Sequence, residues 1–168
     1  MICPACGHKN IPGDDECESC RADLSSLDGV IPKSKIEKVL IEDSISQLQP
    51  REPVVVRPEA TVFEAVRMMN QGKFGCVLVA RNGELEGILT ERDILFKLLS
   101  RGKDLSKVLV REVMTPHPET LSTDDTLAYA VNKMSIGGFR HVPVLKKGRP
   151  VGIISSRDVL RYLSKLFP

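Results

Sequence analysis

The chain has 168 residues, 42% apolar and 27% charged, which suits one compact domain with an appendage or two small units. Its formal net charge of +2 excludes a strong electrostatic pull toward nucleic acid or anionic lipid. No apolar run approaches the roughly 20 residues that span a bilayer, and the opening "MICPAC" lacks the basic-then-apolar pattern of a signal peptide. A cytoplasmic protein is therefore expected. Its five cysteines should stay reduced there, which favours metal binding over disulfides.

Residues 1–24 read "MICPACGHKNIPGDDECESCRADL". Cys3 and Cys6 form one C-x-x-C and Cys17 and Cys20 a second, with ten residues between the pairs. Each such turn aims two thiolates at one point, and two turns complete a tetrahedron around a metal. Gly7 follows the first pair, where a tight turn uses positive φ. Arg21 fills the matching place after the second pair and is less suited to it. With Ile2, Ile11 and Leu24 as its main apolar residues, the segment cannot build a core, so metal must supply its folding energy. It resembles the zinc-ribbon family. Zinc at Cys3, Cys6, Cys17 and Cys20 is the expected cofactor, with rubredoxin-like iron as the alternative. His8 is a spare polar residue and Cys76, in an apolar run, a core one. Lys9 and Arg21 face Asp14, Asp15, Glu16, Glu18 and Asp23. A ribbon of that sign disfavours nucleic acid and favours protein docking or a structural role. Residues 25–35 read as a linker, with Ser, Gly and Pro and no periodicity.

The rest of the chain is a duplication. Shifted by 65 residues, 54–93 lies on 119–158 without a gap, and thirteen of the forty positions are identical. The lead-in "KVLIEDSIS" from Lys38 parallels "KVLVREVMT" from Lys107 at an offset of 69, which implies four extra residues near "QLQPREP". Each copy predicts the order β-α-β-β-α. Short extended pieces at 53–56 and 119–121 precede helices at 61–71 and 126–136, ended by Gly72 and Gly137. Val62, Ala65, Val66 and Met69 recur as one buried face. The strands "CVLVA" and "HVPVL" lead to turns, with Asn82-Gly83 a strong hairpin signal. The strands "LEGIL" and "PVGII" then run into a second helix.

That second helix opens on "GILTERD" in one copy and "GIISSRD" in the other. Thr90-x-x-Asp93 and Ser155-x-x-Asp158 fit a helix N-cap with an acid in the first turn, which needs no ligand. The same groups fit a ligand site: helix N–H groups bind phosphate, and a carboxylate accepts both hydroxyls of a ribose. Gly87 and Gly152 would allow close backbone approach.

The lines "VREVMTP", "GGFRHVPVL", "GIISSRD" and "GILTERD" resemble cystathionine-β-synthase (CBS) domains, over about 36–168. The resemblance implies an α+β fold in which two β-α-β-β-α repeats, 36–102 and 103–168, pack sheet against sheet as a pseudo-symmetric pair behind the ribbon. It implies adenosine-type ligands (AMP, ADP, ATP, less often S-adenosylmethionine or NAD(H)) and pairing into a homodimer. It assigns Asp93 and Asp158 to ribose and Thr90 and Ser155 to the phosphate side. Arg140 and His141 resemble basic phosphate contacts, where the first copy has Gly75 and Cys76. Arg92 and Arg157 lie within reach of phosphates, and Val55 and Thr120 in the short extended pieces complete the expected nucleotide set. Unequal sites follow. Glu86 stands where the second copy has Val151, a departure for local packing.

No catalytic constellation is legible: three scattered histidines, no nucleophile elbow and no Walker loop. The expected function is a regulatory adenine-nucleotide sensor that passes its ligand state to an unidentified partner protein. The alternatives are a nucleotide-gated transcription or RNA-associated ribbon factor and a rubredoxin-like redox protein.

Overall fold

The computed structural model describes residues 1–11, 14–25 and 34–165. The expected linker lies outside the described residues except at its ends. Ser34 N-caps helix α1 (Lys35–Glu42), its side chain accepting from Glu37 N. After the strand β1 (Val55–Val56) come α2 (Val62–Gly72), the hairpin β2–β3 (Cys76–Arg81, Glu84–Thr90) and a single helical turn α3 (Glu91–Asp93). The second repeat follows with β4 (Thr115–Pro116), β5 (Leu121–Ser122), α4 (Leu127–Gly137), β6 (His141–Lys146), β7 (Arg149–Ser155) and α5 (Ser156–Ser164). No described helix is long and apolar enough to cross a membrane.

The chain forms two compact units that cut across the repeats. The ribbon unit holds Met1–Pro50, Leu121–His141 and Ile154–Pro168, and the sheet unit holds Arg51–Thr120 and Val142–Ile153.

In the sheet unit, β1 runs parallel to β2, β2 pairs antiparallel with β3, and β3 with β4. Strand β2 is buried on both faces, so it reads as a continuous apolar run rather than an alternating one. Val77 and Val79 meet Val62, Ala65 and Met69 of α2. Cys76 and Leu78 point the other way and pack with Ile88 and with Ile153 of β7. The β2–β3 turn has positive φ at both Asn82 (53°) and Gly83 (84°), the conformation that Asn-Gly favours. Lys147 (52°) and Gly148 (76°) repeat it between β6 and β7. Glu86 does not disturb packing: it is half-exposed, and its carboxylate accepts from Arg81 Nε at 2.8 Å.

The units cut across the repeats in two ways: most of β6 and β7, Val142–Ile153, belongs to the sheet unit, and the lead-ins are exchanged. Ile45 N donates to Asp125 O (2.8 Å) and Leu127 N to Asp43 O (3.0 Å), within the ribbon unit. In the sheet unit, Val110 N donates to Ala60 O (2.9 Å) and Val62 N to Val108 O (2.9 Å). These bonds correspond one for one at an offset of 65, which corrects the offset of 69 and removes the supposed insertion. The "KVL" match misled because Lys38–Leu40 lies inside α1, whereas Lys107 and Val108 lie in a turn.

Thr61 N-caps α2 and closes a capping box with Glu64, while Thr126 N-caps α4 and accepts from Tyr129 N. Gly72 and Gly137 are not the left-handed residues at the helix ends. Lys73 (53°) and Gly138 (63°) are. A Cβ on Gly72 would strike the Phe74 ring, and one on Gly137 the Phe139 ring. The repeated Gly-x-Phe therefore leaves room for an aromatic ring against the last helical turn. Gly72→Ala or Gly137→Ala is expected to cost about 1–3 kcal/mol, the usual penalty of overpacking, measurable as a lower urea midpoint at unchanged slope.

Candidate metal centre and ligand-binding turns

The two C-x-x-C segments form matching knuckles. Cys3 N donates to His8 O (2.8 Å) and Gly7 N to Cys3 O (2.9 Å); Cys17 N donates to Ala22 O and Arg21 N to Cys17 O, both at 2.8 Å. Gly7 takes φ 74° and Arg21 φ 56°, so the arginine accepts the left-handed turn at a steric cost of about 1–2 kcal/mol. One sulfur from each cysteine falls within 4.8 Å of the other three. Cys3 and Cys20 sulfurs lie 3.7 Å apart, and Cys6 and Cys17 sulfurs 3.5 Å. A tetrahedral site with metal–sulfur bonds of about 2.3 Å has sulfur–sulfur edges of about 3.8 Å, so the residues fit a four-thiolate metal ion.

The surroundings tune the thiols. Burial raises Cys17, but N–H donation from Cys20 and Ser19, then Cys6 and the Asn10 amide, outweighs it and lowers the thiol to about 6. Burial raises Cys3 and Cys6. Sequence reasoning missed Asn10. It is buried, donates to His8 O (3.1 Å) and Cys17 Sγ (3.6 Å), and accepts from Glu18 N (3.0 Å). His8 stays outside the cluster, 3.6 Å from Glu18. Cys76 is a core residue, its thiol pushed up to about 12 by burial and by the charge of Glu91. Disulfide-exchange titration of the metal-stripped chain is accordingly expected to count four thiols, with the fifth reacting only in denaturant.

The ribbon is fastened to α4, which sequence reasoning also missed. Tyr129 Oη donates to Cys6 O (3.2 Å) and Asn132 Nδ2 to Pro4 O (2.6 Å). A Cβ on Gly7 would come within 2.9 Å of the Tyr129 ring, so glycine is required there for contact as well as for φ.

The two repeated phrases end β3 and β7. Thr90 and Ser155 are extended N-caps, and both make the local cap that the residues alone allow. Asp93 Oδ2 accepts from Thr90 N (3.0 Å) and Thr90 Oγ1 (2.6 Å). Asp158 Oδ2 accepts from Ser155 N (2.9 Å) and Ser155 Oγ (2.6 Å). The other carboxylate oxygen faces a cation in each case. Lys97 Nζ lies 2.7 Å from Asp93 Oδ1, and Arg161 donates to Asp158 Oδ1 at 3.0 Å. The two carboxylates are 13% and 15% exposed, so each is held in place with one edge reachable. Spacings of four and three residues on a helix were the available signal for these two cations.

A backbone bond clips each turn to the strand beside it. Glu91 N donates to Gly75 O and Ser156 N to Arg140 O, both at 3.0 Å. The bond is made by the backbone carbonyl of Arg140, an exposed residue, and Gly75 holds the same place in the first repeat. His141 opens β6, half-buried. Arg157 is exposed, and Arg92 lies over the ring of Phe96, four residues on, at 5.9 Å. Val55 lines a cavity of about 610 Å³ with Arg57, Arg67, Met68 and Gln71, and Thr120 is half-buried just before β5. Gly87 leaves room for its own neighbours: a Cβ there would meet Met114 Sδ at 2.5 Å and Thr115 O at 3.0 Å. The helices that follow the phrases also differ. Beyond α3 the chain widens into a π-turn at Ile94–Leu98, with Lys97 bonded to Val113 O at 2.7 Å, while α5 is α-helical throughout Ser156–Ser164.

The CBS domain family model matches residues 45–100 and again 110–165. The CBS domain-containing protein CBSX3, mitochondrial, of Arabidopsis thaliana is 34% identical over 106 residues, 60% of this chain and 52% of that protein. Uncharacterized protein MK0525 of Methanopyrus kandleri is 31% identical over 120 residues, 70% of this chain and 61% of that protein. The match thus spans little more than half the length of these relatives. Among solved structures, the CBS domain pair of protein MJ0100, in complex with 5′-methylthioadenosine and S-adenosyl-L-methionine, superposes with a TM-score of 0.67 at 25% identity. That match covers 74% of this chain and 98% of the other. A chain that carries the matched domain twice, on a duplicated α+β framework, belongs to the CBS-domain family.

Proposed function

We propose that the chain is a regulatory module that binds an adenine nucleotide of the AMP, ADP or ATP class and passes its ligand state to a partner protein. The observation that carries this reading is the twice-built turn: a helix start and a carboxylate held by its own cap, with one oxygen left on a displaceable cation. Adenosine-type ligands in the MJ0100 pair support the chemical class. Asp93 and Asp158 take the ribose hydroxyls by displacing Lys97 and Arg161. Thr90 and Ser155 stand on the phosphate side with the helix N–H groups. Arg140, His141, Arg92 and Arg157 balance phosphate charge, and Val55 and Thr120 flank the base. Arg140 makes the second repeat the tighter site.

The four thiolates hold zinc in this reading and make the ribbon fold. The same sulfur geometry suits iron, so metal analysis and colour of the purified chain separate the two: a colourless zinc protein supports the structural role, an absorbing iron protein the redox one. The proposed organisation is a ribbon at 1–24, a linker at 25–35 and repeats at 36–102 and 103–168, in a cytoplasmic homodimer. Thermal shift against AMP, ADP, ATP, S-adenosylmethionine and 5′-methylthioadenosine tests the ligand reading. At least one of AMP, ADP and ATP is expected to raise the melting temperature in a concentration-dependent way; no shift with any of the three, or a shift with S-adenosylmethionine or 5′-methylthioadenosine alone, contradicts it.

A further inference from the structure

The ribbon is hydrogen-bonded to the same unit that carries the second ligand phrase. Both carbonyls that face α4, Pro4 O and Cys6 O, belong to the Cys3–Cys6 knuckle, the turn whose shape a bound metal holds. Their donors, Asn132 and Tyr129, lie in the first two turns of α4, and the Tyr129 side chain is buried against Gly7 with Lys133 Nζ 5.1 Å over its ring. Helix α4 is capped at its C-terminus by Gly138, two residues before Arg140, whose carbonyl accepts from Ser156 N inside the phrase. From the knuckle to Asp158 the connection is one helix and a few hydrogen bonds within one unit.

Among the described residues the first repeat shows no such tie. The positions of Tyr129 and Asn132 are held there by Glu64 and Arg67. Glu64 closes its own capping box, and both residues line the cavity beside β1. In place of the capping-box acid Glu64 the second repeat has Tyr129, which reaches the Cys3–Cys6 knuckle.

We propose that Tyr129 and Asn132 are positioning residues that couple the metal state of the four cysteines to the Ser155–Asp158 turn, so that metal is a second input to the module. Its ligand half rests on the nucleotide reading above. Metal loss loosens the knuckle, frees the first turns of α4 and slackens the Arg140–Ser156 clip. Coupling is reciprocal, so nucleotide at this turn tightens metal binding by the same factor.

The test compares the zinc-loaded full chain with the same chain after chelation, by amide exchange and by AMP titration. Zinc removal is expected to raise exchange in 127–134 and at Ser156 while α2 is unchanged, and to weaken AMP binding by about 5–150-fold. Tyr129→Phe, which keeps the ring and all four thiols, and Asn132→Ala are expected to bind zinc yet bring that factor toward one. Unchanged exchange in α4 and at Ser156 on zinc removal overturns the relay, whatever AMP does. A response in exchange with equal AMP affinity in both metal states overturns the coupling to ligand. A response in exchange with no adenosine-type ligand bound by the zinc-loaded chain supports the relay and overturns the nucleotide reading instead. Full zinc dependence of AMP binding in both variants overturns the assignment to Tyr129 and Asn132.

Discussion

Asp158→Ala is expected to weaken AMP binding about 10-fold or more, the largest loss from any single carboxylate in the chain. A hydrogen bond to a charged group contributes about 1.5–3 kcal/mol, and a ribose diol takes two of them from one carboxylate. The substitution also removes the cap that Asp158 Oδ2 provides to Ser155, so a stability loss of about 0.5–2 kcal/mol accompanies it. Ser155→Ala weakens the same cap and removes one phosphate-side hydroxyl while leaving the ribose acceptor in place, so it is expected to lose less AMP affinity than Asp158→Ala. Asp93→Ala is expected to change the tighter affinity little, because the first repeat offers Gly75 where the second offers Arg140. Calorimetry on the zinc-loaded chain reads all three. Unchanged AMP affinity in Asp158→Ala would show the phrase to be a helix cap and nothing more.

Metal removal is expected to unfold residues 1–24 while the sheet unit stays folded. The ribbon core is Cys3, Cys17 and Leu24, with Met1, Cys6 and Ala22 packed against it. Two of its three fully buried members are metal-ligand candidates, so one leucine is left to oppose the conformational entropy of two dozen residues. Structural zinc supplies about 10–16 kcal/mol in comparable small sites, far beyond what that leucine contributes. The sheet unit depends instead on Val62, Ala65, Met69, Val77, Val79 and Leu89. Hydrogen exchange after chelation should therefore strip protection from the ribbon and leave α2 and β2 protected. A ribbon that keeps its protection without metal contradicts this account of its folding.

Much of the architecture was legible because it repeats. The 65-residue period placed both helices to within a residue, and the Thr/Ser-x-x-Asp phrases appear as helix caps at both predicted positions. The failures have physical causes. A short identity, "KVL", outweighed a weaker but structurally correct alignment, because sequence identity does not distinguish a helix from a turn. Gly72 and Gly137 read in the sequence as helix stops, whereas their role is space for Phe74 and Phe139, a contact that local propensity cannot register. Tyr129 and Asn132 reach across more than 120 positions to the knuckle carbonyls, and their only trace in the sequence is negative: they break the repeat at Glu64 and Arg67. Lys97 and Arg161 were within reach of helical spacing arithmetic, and they decide how open each carboxylate is.

The most direct test of the central claim is a titration of the zinc-loaded chain with AMP, followed by amide chemical shifts. The account predicts saturable shifts at Arg140 and Ser155–Asp158 at low AMP, then at Thr90–Asp93 at higher AMP. Shifts confined to other residues, or equal affinities at the two turns, would contradict it.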